Sequence, residues 1–430
     1  MSTAPGLTKS RLTNLPNGLR IATCEVPYAE TAAMGIWAGV GGRHESARLS
    51  GISHFIEHML FKGTTRRSAR RIMEEVEGVG GDVNAYTAEE RTCYYAVAAA
   101  EFFPRLCDVL CDLYMNPKFT PDDIERERGV ICEEILMYRD EPSSHVQEIL
   151  NRHFWPDHPL GRPLTGTPDT VESMQRDDFI SYRATHYHAG STVISAAGKI
   201  CHEQVVEIVS KLLERIPSRK PIRYQKAPGH SRQPRIASER RDVQQTQLAL
   251  GFPGPSHHDF RRYAMQILHI LLGGNASSRL FQELREKRGL CYSVSTHPSS
   301  FNDTGMLNLS LGLEQRNVDK SLRLILSAFE DLKKRPVRSA ELRRAKEYAV
   351  GTSRMSLERT SAQNMRLGGS VLVYGKIIDP EEVHSRLRAV TSEDVQSVAT
   401  DFLDSRRAIA AIVGPAPDEE AIADMLQARV

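Results

Sequence analysis

The sequence lacks most of the features that mark membrane, secreted or nucleic-acid-binding chains. No apolar run approaches the roughly 18 residues needed to cross a bilayer. Residues Met1–Lys9 carry neither an apolar stretch of the signal-peptide kind nor an Arg-rich amphipathic segment, so no leader and no membrane partner are expected. The formal net charge is only +2 in 430 residues, which gives no general attraction to nucleic acid. Cysteine is scarce and odd in number, seven in all, with no Cys-x-x-Cys unit. A disulfide framework is therefore not expected; the thiols should be reduced and mostly structural, which fits a cytoplasmic location. The glycines Gly273 and Gly274 precede a helix-like run but lack the Gly-Lys-Ser/Thr of a phosphate-binding loop. What remains, 40% hydrophobic and 26% charged residues, has the balance of a globular protein. At this length two or three domains are expected.

Against that background one short stretch stands out, His54-Phe-Ile-Glu57-His58. On an α-helix, residues three and four apart share a face, so His54, Glu57 and His58 point the same way. Two imidazoles at i and i+4 can grip one zinc ion, and the intervening Glu can act as base on a water beside it. The order reverses the commoner His-Glu-x-x-His. With fifteen histidines in the chain, chance supplies such a motif on the order of a few hundredths of a time. Phe55, Ile56, Met59, Leu60 and Phe61 surround the triplet, so this helix is expected to be buried on most sides. Ionisable groups in such a setting are costly without a partner, and a cation is the simplest one.

The chain also repeats itself. An offset of 216 aligns Met174–Gly198 with Val390–Gly414 without a gap, each an N-capped amphipathic helix followed by an apolar strand ending in Gly. Pro117–Ile124 and Pro336–Leu342 form a second echo, each opening a long helix with a Ser or Thr cap and an acidic first turn. Two similar domains are expected, 1–215 and 238–430, joined by 216–237. That joint has four prolines, six Lys or Arg and no acidic residue. It reads as an extended linker, since aromatic side chains do not alternate with its cations as base stacking would require.

Periodicity places strands near 18–26, 32–41, 82–88 and 92–99. It places helices at the His54 motif and near 66–79, 101–115 and 120–140. Strand pairs beside helix pairs predict an α+β fold, each domain a mainly antiparallel sheet packed with helices. Where the second half should repeat the His54 helix it has Ser277–Leu284. Opposite Glu134 it has Thr352 or Ser353, so the second half is expected to hold no metal.

A hydrolytic zinc site wants three protein ligands. Glu125, Glu127, Glu133 and Glu134 are the candidates for the third. Glu127 and Glu134 lie two turns apart on one helix face, while Glu133 lies about 100° around from Glu134. His186 and His188, and His257 and His258, lack a third ligand nearby and read as loop or surface histidines.

Three stretches, Gly51–Thr64 around the motif, Gly81-Asp-Val-Asn-Ala-Tyr-Thr87 and Glu127-Arg-Gly-Val-Ile-x-Glu-Glu-Ile135, together resemble the M16 (pitrilysin-like) zinc metallopeptidases, within them the processing-peptidase branch. The family pattern puts a Glu about 76 residues after the second His, which lands on Glu134. The resemblance runs from about residue 10 to 420. It implies His54, His58 and Glu134 as ligands of one Zn2+, Glu57 as general base and Glu127 as a carboxylate orienting a ligand. It also implies a peptide substrate, short or unfolded, bound along Asn84, Ala85 and Tyr86, an edge strand entered through glycines. Arg285 and Tyr292, seven apart in the second half, match a pair that holds substrate near the zinc and comes from the partner subunit in two-chain members. A chain carrying both sets implies a homodimer with each site completed in trans, each copy forming half of a clamshell chamber. Two other readings are a non-catalytic assembly protein of the same fold, whose members tend to lose the zinc set, and the catalytic half of a heterodimer.

Overall fold

The computed structural model describes residues 8–229 and 235–428. Residues 1–7, on which the leader expectation rests, and 230–234 of the expected linker lie outside the described residues.

Strands β1 (Lys9–Asn14), β2 (Arg20–Glu25), β3 (Thr31–Ala38), β4 (Asp82–Thr87), β5 (Thr92–Ala99) and β6 (Thr192–Gly198) form one sheet in the order β1-β2-β6-β3-β5-β4. Strands β7 (Arg235–Arg240), β8 (Thr246–Pro253), β9 (Cys291–Ser300), β10 (Gly305–Leu313) and β11 (Ile409–Gly414) form a second, ordered β7-β11-β8-β10-β9. Leaving out β1, the sheets correspond strand for strand. In each only one pair is parallel, β2 with β6 and β7 with β11. Gly198 and Gly414, 216 apart, close equivalent strands. The helices before them, Arg176–His186 and Ser392–Phe402, are opened by equivalent bonds, Gln175 N–H to Asp178 and Thr391 N–H to Asp394. The duplication and the α+β class are thus present in the fold.

The expected strands and helices of the first half are all found. β1 was not foreseen, because Lys-Ser-Arg-Leu-Thr-Asn has no apolar alternation. The stretch before Tyr292 is helical: residues 279–286 form a helix that is a π-helix over Phe281–Glu286, Gly289 takes the left-handed φ of 59°, and β9 follows.

The chain divides into two compact units, each discontinuous in sequence. The first comprises residues to Ile135, Arg162–Gln225 and Arg354–Asp379; the second Leu136–Gly161, Lys226–Ser353 and Pro380 onward. In the first unit β3 and β6 are buried almost throughout, because both faces of the sheet are covered. Helices of the first half cover one face, packing Phe55, Leu106, Leu110 and Phe179 against Ile21, Met34 and Ile194. The other face is covered by helix Thr360–Tyr374, from late in the chain, whose Leu367 and Val371 pack on Trp37, Cys93 and Val193. Gly368 admits the Trp37 indole, since a Cβ there would lie 1.9 Å from Nε1. The indole N–H donates to Ser195 Oγ at 2.8 Å, and that hydroxyl donates to Asn364 at 2.7 Å.

The second unit mirrors this. Helix Pro142–Phe154, from the first half of the sequence, packs Val146, Leu150 and Phe154 on Ala249, Ala411 and Val413. Gly35 and Gly251, again 216 apart, lie under these two helices. A Cβ on either would come within 2.9 Å of Asn364 or Phe154 respectively, so each glycine serves close approach.

Candidate metal centre

Helix Ile52–Leu60 is short, and six of its nine residues are buried. The three that are not are His54, Glu57 and His58. Its start is pinned from two sides. Gly51 adopts φ 94°, and a Cβ there would lie 2.6 Å from the Thr165 carbonyl oxygen. The buried Glu45 carboxylate accepts the N–H of Gly51 at 2.7 Å and of Ser53 at 2.9 Å, which satisfies donors that a helix start leaves open. Burial pushes the Glu45 carboxyl up to about 7, against the pull of those hydrogen bonds.

One turn apart, the imidazoles of His54 and His58 have ring centroids 4.6 Å apart. Helix Pro121–Asp140 brings up Glu134, whose Oε2 lies 3.7 Å from His54 Nε2 and 3.6 Å from His58 Nε2. A tetrahedral zinc with ligand bonds near 2.1 Å has an edge of about 3.4 Å, so the three donors stand close to the spacing that one ion requires. Burial, and secondarily His58, lower the His54 pKa to about 4. His54 is therefore neutral at pH 7, the form that binds metal. The donor set, two imidazoles and a carboxylate, fits zinc.

Residues 20–168 match the family model described as Insulinase (Peptidase family M16), and 173–348 that of the Peptidase M16 inactive domain. An uncharacterized zinc protease of Streptomyces coelicolor is 38% identical over 97% of this chain and 92% of its own length. The chain belongs to peptidase family M16. The uncharacterized zinc protease YmxG of Bacillus subtilis is 35% identical over 92% of this chain and 96% of its own length. Two solved structures share the M16 fold. A protease from Helicobacter pylori has a TM-score of 0.89 at 22% identity, covering 95% of this chain and 100% of its own. A chain of complex III2 from Candida albicans has a TM-score of 0.83 at 19% identity, covering 97% and 99%.

Two further groups of this M16 site were in view in the sequence, Glu57 and Glu127. Glu57 accepts a hydrogen bond from Thr87 Oγ1 at 2.5 Å. Burial raises its pKa, opposed by the Thr87 bond and by His58 and reinforced by Glu134. Glu127 is buried behind His58: one carboxylate oxygen lies 3.2 Å from His58 Nδ1, the other 2.7 Å from Lys62 Nζ. Its desolvation is outweighed by those two partners, so its pKa falls below the ordinary range. Nδ1 facing an acid fixes the tautomer that leaves Nε2 free toward Glu134. Glu127→Ala is expected to weaken zinc binding about 10–100-fold, measured by competition with a chelating dye. Glu133 is exposed and is not among the converging donors.

Lys62, Thr87 and Glu45 carry parts of this arrangement that residue-type spacing alone does not reveal. Lys62 and Thr87 lie in the stretches that carry the family resemblance, which was their only signal; Glu45 had none.

Strand β4 is an edge of its sheet. The Ala85 N–H bonds the adjacent Asn84 side chain at 2.8 Å, and just past the strand the Ala88 N–H donates to the Arg91 carbonyl at 2.8 Å, which puts Asn84, Tyr86 and Ala88 in the set that faces β5. In an antiparallel ladder the outward-facing backbone groups belong to alternate residues, so Val83, Ala85 and Thr87 present theirs to the open edge. The Tyr86 ring turns to the opposite face and meets Trp37 edge-on at 6.2 Å. In the second unit, Arg285 and Tyr292 are both exposed, and the guanidinium carbon lies 5.4 Å from the Tyr292 ring centroid.

Among the described residues, one other cluster has metal-ligand spacing, Glu25, Cys201 and Glu203. Arg11 bridges its two carboxylates, which makes it an ion-pair network. Among the described residues of the second half no such cluster is found. Neither His186 nor His188 is a surface group: both are buried, His186 at the end of its helix with its ring tilted against Tyr182 at 4.2 Å, and His188 in the bend that leads into β6. All seven cysteines are free thiols, five of them buried. No helix among the described residues is long and apolar enough to cross a membrane.

Proposed function

We propose that this M16 chain is a zinc-dependent endopeptidase acting on short or unfolded peptides, precursor or leader segments among them. The observation that carries this is the convergence of His54, His58 and Glu134 beside the half-buried carboxylate of Glu57. A zinc ion held by those three would supply the Lewis acid that polarises a scissile carbonyl and acidifies a water. Glu57 takes the proton from that water through Oε1, the oxygen not engaged by Thr87, and passes it to the departing amine. Glu127, held by Lys62, keeps the His58 ring in its ligating orientation.

The substrate pairs as an added strand on the open edge of β4, running along Asn84, Ala85 and Tyr86, with the outward main-chain groups of Val83, Ala85 and Thr87 making the bonds. That mode is tolerant of sequence. Arg285 and Tyr292, a cation and a phenol, are suited to hold a carbonyl oxygen as it gains charge. They come from the second copy of a homodimer. A non-catalytic assembly role is disfavoured by the complete donor set.

The test is cleavage of an unfolded-peptide library by the purified chain, with and without a chelator. Cleavage lost to chelator and restored by zinc is expected. A chain that binds no zinc and cleaves nothing would overturn the reading. Mixing Glu57→Gln chains with Arg285→Ala chains should restore part of the activity. Mixed dimers that form but stay inactive would count against completion in trans.

A further inference from the structure

The general base of the proposed reaction does not stand alone: its carboxylate is tied to the strand that the substrate would extend. Helix Ile52–Leu60 packs against β4, and Thr87, the last residue of β4, donates its hydroxyl proton to Glu57 Oε2 at 2.5 Å. The parity of β4 gives Thr87 two roles at once. Its side chain lies on the face toward the metal helix, with Val83 and Ala85, which pack into the same core. Its backbone groups belong to the outward set, the set a paired peptide would bond. No other side chain donates to Glu57 among the described hydrogen bonds.

We propose that Thr87 is the positioning residue of the general base, and that it transmits peptide pairing on β4 to Glu57. One donor on one oxygen fixes the rotation of the carboxylate about its last bond, a torsion that is otherwise broad. The other oxygen is thereby left aimed for proton transfer. A general base acts only from within hydrogen-bond reach of its proton, so a carboxylate free to rotate spends less time in the productive orientation. A peptide bonded to the backbone of Thr87 stiffens the end of the strand and with it the donor. Binding energy gained along β4 is then converted into turnover rather than into tighter ground-state binding. Peptides long enough to pair along β4 should accordingly show a higher kcat than short ones, at similar KM.

This inference rests on the peptidase reading above, and the experiment separates the two. Thr87→Val keeps the shape and the strand preference of the side chain but removes the donor; Thr87→Ser keeps the donor. Both are compared with the parent chain, all zinc-loaded, on a short and a long peptide. Expected is about a tenfold to hundredfold loss of kcat in Thr87→Val with KM and zinc content unchanged, loss of the length dependence of kcat, and recovery of most of both in Thr87→Ser. A crystal structure of metal-free Thr87→Val should show Glu57 rotated or in two orientations, a readout independent of turnover. Parental kcat in Thr87→Val with Glu57 unmoved overturns the inference and leaves the peptidase reading intact. A parent chain that cleaves neither peptide overturns that reading, and in that case the Glu57 orientation in Thr87→Val still decides whether Thr87 positions the carboxylate.

Discussion

Glu57→Gln is expected to leave the protein folded and zinc-loaded while lowering peptide cleavage by about 10²–10⁴-fold, the range that positioned general bases supply. The substitution preserves volume and keeps an oxygen that can accept the Thr87 hydroxyl at the Oε2 position. It removes the group that can take a proton. Glu57 is not among the three converging donors, so zinc content measured by atomic absorption should match the parent. A zinc-dependent rise in Tm should persist as well, because that rise depends on metal affinity for the folded chain and not on turnover. Burial raises the Glu57 carboxyl, which suits a base that must hold its proton long enough to return it to an amine. Parental turnover by Glu57→Gln would remove Glu57 from the mechanism.

Glu134→Ala is expected to do the reverse: to abolish metal retention, and activity with it, without unfolding the chain. Removing Glu134 leaves His54 and His58 as a two-ligand site, and three protein ligands are the norm for zinc in hydrolytic centres. Glu134 is partly exposed and its contacts are to the two imidazoles, so the metal-free variant loses little packing. The measurement is paired thermal melts of parent and variant with and without zinc. At free zinc near 1,000 times Kd the parent gains about 4 kcal/mol, and the variant should gain almost none. The pair of variants dissects the centre, since one keeps the zinc-induced stabilisation and loses chemistry and the other loses both. A Glu134→Ala chain that still melts higher with zinc would require a different third ligand.

Much of this centre was legible because a helix has a strict period. Spacings of three, four and seven residues fix which side chains share a face, so His54, Glu57 and His58, and later Glu127 and Glu134, could be grouped before any fold was known. The repeat was legible for a related reason: capping residues and strand-ending glycines, such as Asp178 with Asp394 and Gly198 with Gly414, sit at positions where few residue types serve. What stayed hidden depends on contacts between segments far apart in the chain. Nothing in the residues around Glu45 announces that its carboxylate closes the start of the metal helix. Thr87 reads as an ordinary strand residue until β4 is laid beside that helix. His186 and His188 looked like loop groups because the local sequence carries no apolar period, whereas their burial comes from the packing of a helix end against a sheet.

Helix Thr360–Tyr374 bears on why a half without metal ligands is kept at all. It roofs the first sheet over Trp37, Cys93 and Val193, just as Pro142–Phe154 roofs the second. This is the topology of a swapped dimer whose two copies have been fused into one gene product. In such an arrangement the second copy is free to lose its own histidines but not its roof, since the first copy has no spare helix to lay over that face. The metal-free half is then retained as a structural creditor of the other. Mutations in it, at Gly368 or Asn364 for instance, would be inherited as defects of a metal centre whose three donors, His54, His58 and Glu134, all lie in the first 134 residues.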